Sequence, residues 1–426
     1  MKHLLSMKVR GGALQFVVFT GVAIAIILMG FVTLTHVHLF FKKQAGLTIK
    51  TVKQANIGMH YAINNENTTD IATTVPLVLG NGNAQVTINR TSWGLFEVLR
   101  TTAIIKKNTV VKTALIGGHS KNRPALYLKE ENRPLVLVGT TSIQGAAYLP
   151  KQGARPGTIA GNAYYGNTLI QGRTLNSTEQ LPRLPTGLKN RLAQLQGTSI
   201  ISDGEILPIV PAMNYSNSFL NTVQYVYNDA TIYLERATLT GNIIVKSEER
   251  IVVDASSRLT DVILIAPEII IKPQTTGTFQ AIASKKISIA DNCILRYPSA
   301  FILKEELAVE TQQPYQEDAP QLRIGKGAVV KGVVLHLGRI ARQRYAPHIV
   351  LEENASVYGE VYCEGIFELK GTVNGSVYIS RFTVNEFGSI YQNHIYNGNI
   401  LAGNLPEAYT GLPIEQNNKT VMKWLY

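Results

Sequence analysis

Charged residues are scarce in this chain of 426 residues, and their scarcity excludes two broad classes of protein. Only 16% of the residues are Asp, Glu, Lys or Arg, whereas 45% are apolar. A helical bundle needs a charged outer face on its helices, and a disordered chain combines high charge with few apolar residues. The 35 glycines instead favour a β-rich domain with many tight turns.

Cysteine is nearly absent. Cys293 and Cys363 are the two cysteines of the chain, and neither belongs to a Cys-x-x-Cys pair. This excludes a disulfide framework and any recognisable metal-binding pattern. We expect both to be small buried core residues, and we expect no cofactor and no metal.

Acidic residues are missing from the first 53 positions, which carry seven positive charges around an apolar segment. These are Lys2, Lys8, Arg10, Lys42, Lys43, Lys50 and Lys53. They account for more than half of the net charge of +12. Because they flank an apolar run and no basic-aromatic motif accompanies them, we assign them to membrane flanks and expect no nucleic-acid partner.

The segment from Gly11 to Phe41 contains no charged residue. As a helix it would be about 46 Å long, more than the roughly 30 Å of a hydrocarbon core, so residues 16–37 suffice to cross. A cleaved secretory signal is the alternative, but this run is too long for one and lacks a small-residue cleavage site. We predict a single-pass protein whose helix continues through residues 44–64.

The sequence from Lys8 to Phe16, with the apolar run that follows, resembles the start of type IV pilin-like proteins, especially minor pseudopilins. The resemblance implies a basic leader cut after Gly11 or Gly12, so that the mature chain begins at Gly12 or Ala13. It also implies an inner-membrane location with the bulk of the chain periplasmic or otherwise extracytoplasmic. The usual Glu at mature position five is absent, and an ordinary signal anchor remains the alternative.

Alternating apolar segments then predict a small antiparallel β module, at 84–88, 94–99, 109–116 and 125–128. We divide the chain into a leader and transmembrane helix (1–43), a helical extension with this module (44–134), a β-helix (135–400) and a C-terminal tail (401–426).

A seven-residue motif of the form small-x-branched-x-Gly-x-apolar recurs along the third segment. Its central glycines, taken as corner residues, are Gly145, Gly161, Gly241, Gly332, Gly359 and Gly375. Three equal blocks, at 251–268, 269–286 and 287–304, continue the same period without the glycine. Equal spacing of short apolar strands predicts a right-handed β-helix, a solenoid in which alternate side chains stack on the same position one turn away. An ordinary sandwich is the alternative.

Three stretches interrupt the period, at 164–236, 305–321 and 337–347. The first contains a short predicted helix, residues 188–196, with three leucines on one face. Insertions are where solenoids place binding surfaces, so we predict a partner surface made of Tyr215, Phe219, Tyr225, Tyr227, Arg339, Arg342 and Arg344. The alternative is that the aromatics pad the side of the solenoid.

The repeats between Ala328 and Ile400 resemble those of bactofilins, which are polymer-forming proteins built on a right-handed β-helix. The resemblance implies self-association through the terminal turns. The long insertions and the transmembrane segment of this chain depart from that family.

Together these features predict a membrane-anchored structural or assembly protein of the bacterial envelope, with protein partners or self-association. It is not expected to be an enzyme. The alternative is a polysaccharide-binding or polysaccharide-active β-helix enzyme, for which Asp254, Asp261 and Asp291 are the carboxylates on offer. Their offsets within the repeats do not stack them on one face.

Overall fold

The protein is described here by a computed structural model that covers residues 11–65, 73–75, 84–197, 204–305, 319–338, 345–415 and 418–425. It is mainly β, with an N-terminal apolar helix and a small antiparallel sheet. The chain divides into two compact units. Unit 1 comprises Met1–Tyr61, Ala72–Ile88 and Thr101–Lys112, and unit 2 comprises Ala62–Ile71, Asn89–Arg100 and Thr113–Tyr426.

The first elements are one long helix and four strands. They are α1 (Gly11–Asn64), β1 (Thr73–Val75), β2 (Ala84–Trp93), β3 (Phe96–Ile105) and β4 (Asn108–His119). The strands follow one another across a sheet in the order β1-β2-β3-β4, and β1 pairs antiparallel with β2. The predicted helix, its extension to residue 64 and the small antiparallel sheet are confirmed.

Within unit 1, the second half of α1 packs on the sheet because small residues allow a close approach. Ala55 and Met59 are buried, as are Val86 and Ala103 on the strands. A Cβ added at Gly58 would overlap the Val86 side chain, so only glycine allows this approach. Thr101 Oγ1 also donates to the Ala55 carbonyl at 3.2 Å.

Short strands make up most of unit 2. The first are β5 (Leu126–Leu128), β6 (Leu135–Val138), β7 (Ser142–Gln144), β8 (Ala147–Leu149), β9 (Ala154–Pro156), β10 (Thr158–Ile159), β11 (Asn162–Ala163) and β12 (Thr174–Asn176). After α2 (Thr186–Gln196) come β13 (Glu205–Leu207), β14 (Asn214–Asn217), β15 (Gln224–Asn228), β16 (Ile232–Leu234), β17 (Thr238–Gly241), β18 (Ile243–Ser247) and β19 (Arg250–Val253).

The next strands in the chain include the longest ones. They are β20 (Arg258–Ile271), β21 (Thr276–Ile289), β22 (Ile294–Lys304), β23 (Gln321–Ile324), β24 (Val329–Leu337), β25 (Ile349–Leu351), β26 (Ser356–Leu369) and β27 (Thr372–Glu386). The chain ends with β28 (Ser389–Gln392), β29 (His394–Tyr396), β30 (Asn399–Leu401), a 3-10 turn at Ala402–Asn404 and β31 (Asn418–Leu425).

Most of these strands form one closed, largely parallel sheet. Leu259 lies opposite Gly277, and Val357 lies opposite Val373, so paired positions are separated by one period of the sequence repeat. Residues at the same position of successive repeats therefore form a column across neighbouring strands, which includes Leu239, Leu259, Gly277, Leu295, Val330, Val357, Val373, Ile400 and Ile143. Apart from Gly277, these residues are buried in one continuous apolar interior.

The small residues of the motif share a second column. Ser356 N–H donates to the Ala328 carbonyl at 2.8 Å, and Thr372 N–H donates to the Ala355 carbonyl at 2.9 Å. Cys293 belongs to the same path, because Val329 N–H donates to its carbonyl. Both cysteines are buried and unbridged, as the sequence predicts.

The order of strands in the sheet differs from their order in the sequence. Strand β5 pairs with β27, and β7 pairs with β30, so residues 126–149 continue the sheet beyond its C-terminal strands. Strand β13, by contrast, pairs with β15 and begins the run that leads to β27. The segment that carries α2 therefore connects strands separated by the whole run from β13 to β27. Spacing alone could not reveal this, because the repeats on either side of α2 look alike.

Two predicted domain boundaries do not match the sheets. Strand β5 lies before residue 135 yet belongs to the closed sheet, and β31 lies in the predicted tail yet pairs antiparallel with β4. The stretch 164–236 is not a pure insertion either, because β12 to β16 within it pair in the closed sheet. Its helix α2 is found at the predicted place, with Leu188 and Leu192 buried.

A second apolar layer lies on one outer face of the closed sheet, within unit 2. It includes Ile263, Ile282 and Ile302 from long strands, which are covered by Leu192 of α2 and Leu412 of the C-terminal segment. An outer face of this composition needs a cover, since exposed apolar surface is costly. The C-terminal segment is thus part of the core and not a tail.

Candidate functional sites

The first half of α1 is an exposed apolar helix. The large apolar side chains from Leu14 to Phe41 lie in the open, with Phe19 71% and Met29 73% exposed. Among the described residues, α1 is the one helix long and apolar enough to cross a membrane. Gly11, Gly12 and Ala13 form its first turn. Cleavage there stays a prediction.

The four described aromatics of the predicted partner surface do not form one exposed group. Phe219 and Tyr225 are buried in the second apolar layer, and the Phe219 ring meets Trp93 edge-on at 5.2 Å. Tyr215 and Tyr227 are half-buried, and the Tyr215 hydroxyl donates to the Pro208 carbonyl at 2.9 Å. The padding alternative thus describes Phe219 and Tyr225. Arg339, Arg342 and Arg344 lie outside the described residues.

All six predicted corner glycines have positive φ, a conformation that side chains rarely adopt. Gly332, Gly359 and Gly375 lie directly on one another in three adjacent parallel strands. A Cβ at Gly359 would overlap the Gly332 carbonyl oxygen. Gly145 and Gly241 are similarly confined by backbone or side-chain atoms, whereas Gly161 lies in the β10–β11 hairpin with open space around it.

A cluster that sequence patterns did not identify lies at the base of two of the predicted insertions. Glu305 precedes residues 306–318, and His336 and His348 flank residues 339–344. Both histidines are fully buried, and their rings are 4.3 Å apart. Glu305 Oε1 lies 2.9 Å from His336 Nε2 and 3.4 Å from His348 Nε2. These separations are near the roughly 3.3 Å between neighbouring ligand atoms of a tetrahedral zinc ion.

The backbone partner of His348 fits a hydrogen-bonded cluster better than a metal site bound through Nε2. Ile366 N–H donates to His348 Nδ1 at 3.0 Å, so Nδ1 carries no proton. A neutral ring must then carry its proton on Nε2, the atom that faces Glu305. A zinc ligand needs the opposite arrangement, with a free Nε2 lone pair and a proton on Nδ1. Glu305 Oε1 thus accepts from His336 Nε2 and lies 3.4 Å from His348 Nε2. The expected absence of a metal stays a prediction.

The residue pattern of strand β24 contains a signal for this cluster. His336 lies in the same inward column as Leu303, Cys363 and Ile379. A histidine in an otherwise apolar column needs partners, which here are Glu305 and the Cys363 thiol at 3.7 Å from Nδ1. Glu305 begins the predicted insertion 305–321, and the repeat pattern does not predict its pairing with His336.

A second buried polar cluster holds the C-terminal segment on the closed sheet. Glu360 is fully buried, and its Oε2 accepts from Leu412 N–H at 2.5 Å. Arg123 Nε lies 3.4 Å from Glu360 Oε1, and the guanidinium donates to the Tyr409 carbonyl and lies over the Tyr409 ring. The Tyr409 hydroxyl donates to the Gly332 carbonyl at 3.0 Å.

Burial raises the pKa of Glu360 to about 7, although the Leu412 N–H bond and the Arg123 charge oppose the rise. Burial also raises the pKa of Tyr409 well above its ordinary value. Periodicity does not predict this cluster, because Glu360 occupies a variable position of the motif and its cover lies in the predicted C-terminal tail. These contacts hold the C-terminal segment on the closed sheet, and Glu360 is the titratable group at their centre.

The carboxylates of the enzyme alternative are each held by a different structural partner. Asp254 accepts from Ser256 and from Lys272 Nζ at 2.9 Å, and these bonds, those from Ser256 first, hold its pKa well below the usual range. Asp261 pairs with Lys423 at 2.7 Å, and Asp291 accepts from Lys326 N–H at 2.8 Å. No observation therefore favours a catalytic role for them.

The fold and these sites define a mainly β protein with one apolar N-terminal helix. No protein-family profile matches the chain, and no curated protein sequence matches it either. A search of solved structures returns the competence-associated pilin ComZ from Thermus thermophilus at 9% identity and a TM-score of 0.20, covering 89% of this chain and 96% of that one. Similarity this low carries no argument about fold or function. The bactofilin resemblance finds no confirmation.

Proposed function

We propose that this chain is a single-pass, membrane-anchored assembly protein of the bacterial envelope, pilin-like in its N-terminal processing. The observation that carries the proposal is the exposed apolar half of α1. Its side chains from Leu14 to Phe41 would expose a continuous apolar surface to water, which soluble proteins avoid and a lipid bilayer satisfies.

The second half of the same helix supports the anchor. It continues the apolar half as one uninterrupted helix and packs on the sheet of unit 1 through Gly58 and Ala55. A continuous helix would tie the folded part directly to the span. We place that folded part outside the cytoplasm, as the pilin-like leader implies.

We further propose that the closed parallel sheet is a right-handed β-helix. Parallel partners separated by one sequence repeat, stacked glycines and one unbroken interior support it. The buried polar clusters are structural in this account, so the β-helix serves as a scaffold for envelope partners or for self-association, and not as an enzyme.

Processing at the leader tests the pilin-like part of the proposal. The membrane form, made in a host with a prepilin peptidase, should begin at Gly12 or Ala13 by intact mass and N-terminal sequencing. Replacing Gly11 and Gly12 by leucine should block the cut, whereas Gly21→Leu, deeper in the apolar helix, should not. A membrane form that keeps Met1 would support the signal-anchor alternative and contradict the pilin-like proposal. Loss of the chain from membranes at alkaline pH would contradict the anchor itself.

A further inference from the structure

The positive charge of this protein is concentrated in unit 1. The three ranges of unit 1 contain ten of the 41 basic residues of the chain and none of its 29 acidic residues. Three of the ten precede α1, and the other seven are Lys42, Lys43, Lys50, Lys53, Lys106, Lys107 and Lys112. No carboxylate within the unit balances these lysines.

Four of the seven lysines lie on one side of α1 just beyond its apolar half. At about 100° per residue, Lys42, Lys43, Lys50 and Lys53 fall within an arc of about 100°. All four side chains are exposed. The sheet-packed residues Thr51 and Ala55 lie on the opposite side of the helix, where both are buried.

The hairpin between β3 and β4 adds lysines on that other side. Its tip is Lys106 and Lys107, and both are exposed. Asn108 Nδ2 donates to Thr48 Oγ1 at 3.0 Å, and Lys112 Nζ donates to Asn56 Oδ1 at 2.5 Å. Strand β4 therefore runs along α1 with its tip towards the apolar half.

The tip lies within electrostatic reach of a membrane surface. Thr48 is seven residues beyond Phe41, which is about 10 Å along a helix. This distance is similar to the depth of the headgroup region plus part of the Debye length of about 8 Å at physiological salt. A collar of lysines thus lies near the height of the lipid headgroups. It consists of Lys42, Lys43 and Lys50 on one side of the helix and Lys106 and Lys107 on the other.

We propose that this collar binds anionic phospholipid headgroups of the leaflet from which α1 emerges. The inference rests on the proposed membrane anchor. Charge complementarity carries it, since unit 1 offers lysines both on α1 beyond its apolar half and at the hairpin tip, and no acid that would repel the lipid. Each lysine near an anionic surface strengthens binding by about fivefold.

Amine footprinting of the full chain in lipid nanodiscs tests the proposal. The discs contain phosphatidylcholine alone or with about 30 mol% phosphatidylglycerol, an anionic fraction that gives a strong surface potential. Labelling of Lys106 and Lys107 by a water-soluble amine reagent should fall about fivefold in the anionic discs. Salt at about 0.5 M should remove the difference, because it shortens the Debye length. Lys285 and Lys286, an adjacent exposed pair on β21, are the internal control and should label equally in both discs.

Two variants provide a second readout. The ratio of phosphatidylglycerol to phosphatidylcholine that co-purifies with the full chain should fall in K106Q/K107Q and stay unchanged in K285Q/K286Q. Equal labelling of Lys106 and Lys107 in both discs would overturn the proposal while leaving the anchor intact. A chain that does not incorporate into discs of either composition would overturn the anchor and, with it, this inference.

Discussion

Single residues without side chains set how closely neighbouring strands of the closed sheet approach. Gly332, Gly359 and Gly375 lie opposite one another on three adjacent strands. The Gly332 carbonyl and the Tyr409 hydroxyl occupy the space that a Cβ at Gly359 would need. Its φ of +150° lies in a region that only glycine adopts readily. Steric and backbone constraints therefore coincide at one residue.

Gly359→Ala should lower the free energy of unfolding of the folded region by about 3 to 5 kcal/mol, because both constraints are violated. Gly161→Ala is the matched control. Gly161 has φ +83° but nothing within 4 Å of an added Cβ, so its substitution should cost only about 1 to 2 kcal/mol. Denaturant titration of the full chain in detergent micelles measures both. Equal costs would show that the corner is not closely packed.

Glu360 makes stability depend on pH. Its pKa is about 7 in the folded protein, against 4.5 for an ordinary Glu. Between these values the unfolded chain has lost its proton and the folded chain keeps it, so this group's contribution to stability falls as pH rises through that window. The contribution is fully present below about pH 4.5 and has been lost above about pH 7.

Glu360→Gln removes this titration and keeps an acceptor for Leu412 N–H. The unfolding free energy of the wild type, minus that of the variant, should decrease by about 2 to 3 kcal/mol between about pH 4.5 and pH 8. The same denaturant titration, repeated across that range, provides the measurement. A difference that stays constant or grows with pH would contradict the raised pKa.

Among the elements, α2 lies in the segment that joins strands separated by the whole run from β13 to β27. It also covers part of the outer apolar face of the closed sheet. Leu188 and Leu192 are fully buried against that face. Buried Lys246 donates to the carbonyls of Gln196 and Gly197 at the C-terminal end of the helix, where a positive charge is favourable. The helix is thus part of the core and not a surface excursion.

Leu192→Ala should lower the free energy of unfolding by about 2 to 4 kcal/mol, because it leaves a cavity under the helix. Lys189→Ala is the control on the exposed face of α2. It removes a 2.6 Å ion pair with Glu364 and should cost about 0.5 kcal/mol or less. Similar costs for the two would mean that α2 does not cover the outer layer.

The existence of most elements could be predicted, but their connections could not. The apolar run predicted α1, and the leucine spacing placed α2 close to its observed start. The pairing of β5 with β27 and of β31 with β4 depends on contacts between residues far apart in sequence, for which periodicity gives no information. The sites show the same limit. Glycine spacing identified six positions with positive φ, whereas Glu305 and Glu360 acquire their roles from distant histidine and arginine partners.

At the scale of the whole molecule, charge and apolar surface are distributed unevenly along the chain. The exposed apolar half of α1 and the acid-free ranges of unit 1 both lie before Thr113. The chain from Thr113 onward contains the closed sheet and its apolar interior. This division is the one expected of an anchor followed by a scaffold.

Labelling from one side of the membrane tests that division most directly. Both native cysteines are buried, so a cysteine introduced at exposed Lys285 is a unique target for a membrane-impermeant maleimide. In spheroplasts that express the full chain, K285C should react without detergent while a cytoplasmic control protein does not. Reaction only after detergent is added would place residue 285 on the cytoplasmic side and contradict the proposed topology.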